Sequence, residues 1–257
     1  MRYTTREFRL AAALVEAADT LTDGFEATPC LQRVSDHCVE LLSARTAGIM
    51  LMDGGEAVSP ACSSRHQGVA LDLLEAQHGG GPCLESYGSG KPVPPVSIRV
   101  AHADARWPAF TERALRHDIV ATYAVPLRRR ETLLGALNVF VPTPPSSPKD
   151  GTAQELLVAQ AMADAAAVGL QNHRTYSQYR TLSGQLRQAL SSRVRIEQAK
   201  GMLAERRQVG ADQAFTALRR HARRRRLPLD RVASAMIEGL ADDDAELRGE
   251  TPPGGTP

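Results

Sequence analysis

The chain has 257 residues and a formal net charge of +2, which suits one large domain or two ordinary ones. No stretch reaches the roughly 18 consecutive uncharged apolar residues that a membrane-spanning helix requires, so no contact with a membrane is expected. The small net charge hides an asymmetry: residues 1–186 carry 17 Lys/Arg against 19 Asp/Glu, residues 187–231 carry 13 against 4, and residues 232–257 carry 1 against 6.

A near-neutral body, a basic module and an acidic tail imply two functions in one chain. Clustered Lys/Arg predict a polyanionic partner, because they release counterions condensed on phosphates. Arg2, Arg6, Glu7 and Arg9 stand at the N-terminus without an apolar core before a small-residue cleavage site, so no signal peptide is expected. Cys30, Cys38, Cys62 and Cys83 are widely spaced, with no CxxC pair. They read as buried free thiols of a reducing, cytoplasmic compartment.

The predicted elements begin with an amphipathic helix over "REFRLAAALVEAADTL", with Phe8, Ala12, Val15 and Leu21 as its apolar positions. A second helix over "PCLQRVSDHCVELLS" uses Leu31, Val34, Cys38, Leu41 and Leu42. "TAGIMLMD" is a short apolar run closed by Asp53, Gly54 and Gly55, hence a buried strand and a turn, with "EAVSPACSS" as its partner strand. "VALDLLEAQH" predicts a short helix, and "GGGPCLESYGSGKPV" predicts a loop without one. Strands resume with "PVSIRV", "TYAVPL" and "LLGALNVFV", the last two joined by a turn over Arg128–Glu131. "PTPPSSPKD" reads as a loop, and "GTAQELLVAQAMADAAAVGLQN" as a long helix. A strand meander framed by helices is an α+β domain with one sheet.

Residues 20–172 resemble the GAF domain family through "GPCLES", "GKPV", "DARWPAF" and "AVPL…ETLLGALNVF". The resemblance implies a sensor scaffold that takes an unknown small-molecule or redox signal. Relatives that bind cyclic nucleotides carry Asn-Lys after the last strand, whereas Asn138 is followed by Val139. Haem held through His66, His78, His102 or His117 is not expected, nor is another cofactor or a metal. The triplet Gly79-Gly80-Gly81 lacks the Lys of a phosphate-binding loop. A thiol enzyme of the free methionine sulfoxide reductase type would need Cys62 and Cys83 in another pattern, so no catalytic residue is assigned.

"TYSQYRTLSGQLRQALSS" extends the last helix as a connector over residues 173–192. Leu182, Leu186 and Leu190 give it two open readings: a helix laid on the body, or one paired across a homodimer that transmits the sensor's state.

Three helices are readable from Arg193 to Ala241. The first begins near Ser191 or Ser192, buries Ile196, Ala199, Met202 and Leu203, and ends at Gly210. The second is capped by Asp212 and buries Ala214, Phe215, Leu218 and Ala222. The third follows Pro228, is capped by Asp230, and buries Leu229, Ala233, Met236, Ile237 and Leu240. Lys200, Arg206 and Arg207 then lie away from the core on the first helix, and Arg219, Arg220, Arg223 and Arg226 do so on the second. Gly201 costs its helix about 1 kcal/mol against Ala. Close helix packing and close approach of a nucleic-acid backbone both remain open as its reason.

"IEQAKGMLAER…ADQAFTALRRHAR…LPLDRVASAMI" resembles the ANTAR domain, an RNA-binding antiterminator module. The resemblance implies an α+β GAF-like antiparallel sheet flanked by helices (residues 1–172), a helical connector (173–192) and a three-helix ANTAR module (193–241). A disordered acidic and Pro/Gly-rich tail (242–257) follows. The implied partner is RNA hairpins in leader transcripts, bound through Lys200, Gly201, Arg206, Arg207, Arg219, Arg220, Arg223 and Arg226. The alternative of a DNA-binding transcription factor would make the third helix the reader, yet "RVASAMIEGL" is nearly uncharged. With Phe215 assigned to the core, no stacking platform for long single strands is expected.

Overall fold

A computed structural model of the chain describes residues 5–21, 24–53, 56–142 and 151–239. In chain order its elements are α1 (Thr5–Ala18), α2 (Ala27–Leu41), β1 (Thr46–Asp53), β2 (Glu56–Cys62), α3 (Gln67–Glu75), α4 (Pro82–Ser89), β3 (Val93–Ser97), α5 (Ile98–Ala103) and α6 (Pro108–Arg116). Then follow β4 (Ala121–Arg129), β5 (Thr132–Val141), α7 (Gly151–Arg207), α8 (Ala211–Arg225) and α9 (Leu229–Ile237). The chain divides into two compact units, Met1–Ser177 and Gln178–Pro257, and the boundary falls inside α7.

The first unit is built on one five-stranded antiparallel sheet in the order β2-β1-β5-β4-β3. Three of the sheet's four prolines go where a missing donor costs least, Pro60 in edge strand β2 and Pro94 and Pro95 in edge strand β3, whereas Pro126 lies in the inner strand β4. Successive side chains of a strand face opposite sides, and here both sides are buried. Ala47, Ile49, Tyr123, Val125, Leu137 and Val139 join α1, α2 and the start of α7 in one core. Met50, Cys62, Ala136 and Phe140 join residues of α3, α4, α5 and α6 in the other. The sheet is thus the middle of three layers, and its central strands read as continuous apolar runs rather than alternating ones. Gly135 allows the closest strand approach, since a Cβ there would lie 2.1 Å from the Met50 carbonyl oxygen.

Several expectations change. The segment 79–93 contains α4, started by Pro82 in its first turn and stopped by Gly90 at φ 64°. "PVSIRV" is a strand only to Ser97, and Ile98 opens α5. Helix α6 was not expected; Pro108 starts it after Trp107 at φ 54°. The expected apolar positions Phe8 and Val15 of α1, and Leu21 beyond its end, are exposed (65%, 71% and 56%), while Ala13 and Ala17 are buried. Small residues win there because α1 lies close against α7: a Cβ on Gly169 would stand 2.3 Å from the Ala17 carbonyl oxygen, and Thr20 Oγ1 donates to Gly169 O at 2.7 Å. Gly54, Gly55, the segment 143–150, Leu240, Ala241 and the tail 242–257 lie outside the described residues.

Helix α7 is continuous for 57 residues, so the basic module has no cap at Ser191 or Ser192. Extending a helix fixes one residue per hydrogen bond, whereas restarting one incurs the nucleation cost again. Ser183 and Gly184 are therefore tolerated inside it.

Candidate nucleic-acid interface

In the second unit, one core unites Ala199 and Leu203 of α7, Ala214, Ala217, Leu218 and Ala222 of α8, and Val232, Ala233 and Met236 of α9. Ile196, Val209, Leu229 and Ile237 pack on it, half-buried. The turns are set by residues in left-handed conformations. Gln208 at φ 53° ends α7, and Gly210, in extended conformation, becomes the N-cap of α8 rather than the terminator of α7. Asp212 is consequently inside the first turn of α8, where its charge still favours the helix dipole. Arg226 at φ 53° is the C-cap of α8, and the Leu227 N–H donates to Ala222 O at 2.9 Å. Pro228 is the N-cap of α9, so Asp230 likewise sits one position inside.

The proposed cations therefore do not form one uniform face. Arg206 is exposed, but Lys200 and Arg207 are half-buried beside Leu203, seven residues apart on one stripe of α7. Lys200 Nζ forms an ion pair with Glu197, three residues before it. Nη2 of Arg207 is buried and has no hydrogen-bonding partner, and the same holds for Nε of Arg195. Gly201 is exposed, and a Cβ there would meet nothing within 4 Å. Helix packing within the chain is thus not what keeps a glycine there.

On α8, Arg219, Arg220 and Arg223 are exposed and Arg226 is exposed at its cap. At about 100° per residue, Arg220 projects about 100° away from Arg219. Arg223 stands between them, about 40° from Arg219 and about 60° from Arg220. Phe215 is half-buried rather than part of the core, and the Arg219 guanidinium carbon lies 5.8 Å from its ring centroid. The i, i+4 spacing of Phe215 and Arg219 was the available signal for that pair.

Between Ser177 and the module, α7 exposes Tyr179, Leu182, Leu186, Leu190 and Val194, all more than half accessible. These stand three or four residues apart and form one apolar stripe.

The cysteines of the first unit are not poised as nucleophiles. All four cysteines are buried and free. Burial pushes the Cys38 and Cys62 thiols up to about 12 and the Cys83 thiol higher still, so each stays protonated at neutral pH. Three of the four histidines considered for haem have partners: His117 Nε2 is 2.9 Å from the Asp72 carboxylate, His102 Nδ1 is 3.2 Å from Thr111 Oγ1, and His78 Nδ1 is 2.6 Å from Glu75 O. Among the described residues no group of three or more His, Cys, Asp or Glu could hold a metal ion. No helix among them is long and apolar enough to cross a membrane.

The model of the GAF domain matches residues 29–171, more than half of the chain. The chain belongs to the GAF domain family. The ANTAR domain model matches residues 184–237, which gives a GAF–ANTAR architecture and takes in residues 184–192 of the connector. GAF is a signal-sensing domain and ANTAR an RNA-binding antitermination domain, and the two together are the architecture of a regulator.

No curated protein matches the chain. Among solved structures, the GAF domain from a phosphoenolpyruvate-protein phosphotransferase of Coxiella burnetii is 16% identical with a TM-score of 0.47, covering 68% of this chain and 99% of that one. The free methionine-R-sulfoxide reductase from Neisseria meningitidis, in complex with its substrate, is 14% identical with a TM-score of 0.44, covering 67% and 96%. The GAF domain of A. Aeolicus nlh2, in an inactive state, is 14% identical with a TM-score of 0.46, covering 65% and 98%.

Proposed function

We propose that this GAF–ANTAR protein is a signal-responsive regulator that stabilises antiterminator hairpins in leader transcripts. The observation that carries the reading is the set of cations on the second unit: half-buried Lys200 and Arg207 beside open Gly201 on α7, and exposed Arg219, Arg220 and Arg223 with Arg226 at the cap of α8. A buried guanidinium nitrogen without an acceptor, as in Arg207, favours an anionic partner that supplies one. A-form stems hide their base edges, so arginines grip phosphates while unpaired loops carry the sequence information.

The division of labour is a sensor over residues 1–172, a connector over 173–192, an RNA-binding module over 193–241 and a tail over 242–257. The apolar stripe Tyr179–Val194 supports pairing of two connectors in a homodimer, which would present two modules to two hairpins. The signal it takes is a small molecule or a redox cue, which the signal-sensing GAF domain supports. The signal acts by changing RNA affinity, and a protein selective for one hairpin state at about 100 Kd shifts the choice by about 2.7 kcal/mol. No bond is made or broken.

Binding of the full chain to a two-hairpin RNA and to duplex DNA of equal charge, across a salt series, tests the reading. RNA preference that depends on loop sequence supports it. Equal binding to both, with only a steep salt slope, removes it.

A further inference from the structure

Phe215 is the one aromatic residue between Arg193 and Gly239. Its ring is half-buried at the border of the buried stripe Ala214–Leu218–Ala222, on the flank where Arg219 and then Arg223 follow at successive turns. At about 100° per residue these three side chains fall within about 80° of one another. The Arg219 guanidinium lies over the ring at 5.8 Å. Exposed Asp212, one turn before Phe215, closes the basic strip at its N-terminal end.

We propose that Phe215 and Arg219 form a stacking platform for one unpaired base of an RNA hairpin loop. This rests on the RNA-binding reading above. A border position of a small core is filled more economically by Leu or Ala, and a half-open ring gives up part of its burial. A ring beside a guanidinium presents the two planar surfaces on which proteins stack bases splayed out of RNA loops. Arg223, one turn further along the same flank, is placed to hold a flanking phosphate. One ring accommodates one base, so the platform suits a loop rather than a long single strand. It also orders the module's cations: Arg219 and Arg223 lie nearest the ring and meet the loop, and Arg220, about 140° around α8 from Phe215, lies beyond them toward the stem.

The probe is a two-hairpin RNA, selected on the wild-type full-length protein from a pool with randomised loops, then labelled with 2-aminopurine at each loop position in turn. Stacking predicts fluorescence quenching on binding at one position of the loop. Phe215→Leu should abolish that quenching and weaken binding about tenfold, while leaving the salt slope unchanged. Phe215→Tyr should restore both. Arg219→Ala should reduce the quenching and lower the salt slope by about 1.

Wild-type protein that quenches no loop position overturns the platform without any variant, even if RNA binding itself is confirmed. So does a folded Phe215→Leu chain with wild-type affinity. If the pool yields no RNA, or duplex DNA binds equally well, the RNA reading fails and the platform fails with it.

Discussion

The ammonium of Lys200 is paired with the carboxylate of Glu197, one turn earlier on α7, and Lys200 is the more buried of the two, its side chain 23% exposed against 55%. The lysine proposed to meet RNA is therefore already holding an anion of its own chain. RNA phosphate must displace or share that carboxylate. Lys200→Ala should weaken hairpin binding and reduce the salt slope by about 1, whereas Glu197→Gln should strengthen it by up to about fivefold, the scale of one partly exposed ion pair. Titrations at several salt concentrations check both, and variants that move affinity in the same direction would contradict this role for Glu197.

Gly201 separates stability from binding. An added Cβ meets nothing within 4 Å, so Gly201→Ala should raise the stability of the second unit by roughly 0.5–1 kcal/mol through helix propensity. The same methyl should lower RNA affinity by obstructing the backbone approach beside Lys200. Paired melting and binding measurements would show the opposed signs; a stabilised protein with unchanged affinity would assign Gly201 no part in RNA contact.

Gly169 is the opposite case. Gly169→Ala drives a Cβ to within 2.3 Å of the Ala17 carbonyl oxygen and crowds Thr20, whose hydroxyl donates to Gly169 O. Helices α1 and α7 must separate locally, at a cost of about 1–3 kcal/mol. Denaturant unfolding of the full chain should show this loss in the transition of the first unit, with RNA binding by the folded protein retained.

Acid should destabilise the first unit through two carboxylates. Glu16 is held below the ordinary carboxylate range mainly by its hydrogen bond to His37, with Arg33 adding to it. At Asp72 burial opposes ionisation, but the His117 hydrogen bond and the Arg113 charge outweigh it and leave the pKa lowered. A depressed folded-state pKa means that the unfolded chain binds more protons. The contribution is thus complete above the ordinary carboxylate range and lost as pH falls through and below it. Both side chains are more than a third exposed, so solvent screening keeps the effect small. Asp72→Asn should flatten the acid side of a stability-versus-pH curve, and a curve that keeps the wild-type slope would argue against the assignment.

The thiols should be inert in the native state. Cys62, pushed up to about 12, and Cys83, pushed higher, should resist iodoacetamide at pH 8 until the protein is unfolded. Rapid native-state labelling of either would reopen thiol chemistry for the sensor.

The sequence by itself determined what depends on local spacing and on composition. The apolar runs of β1, β4 and β5, the buried face of α2, the core of α8 and α9, and the displacement of positive charge into residues 187–231 were all legible, because burial and charge act on each residue with little regard to distant neighbours. Only the tertiary structure decided what depends on contacts between segments far apart in the chain. Phe8 and Val15 look like core residues, but the close approach of α1 to Gly169 gives that role to Ala13 and Ala17. Helix starts at Ser191 and Asp212 fit the rules of capping, yet propagation carried α7 through the first, and Gly210 capped α8 ahead of the second. The basic residues were countable from the start. Which of them are half-buried, ion-paired or set against an aromatic ring follows from the angular position of each on a helix that has already chosen its buried side. That choice is made by the packing of three helices together and belongs to no single segment.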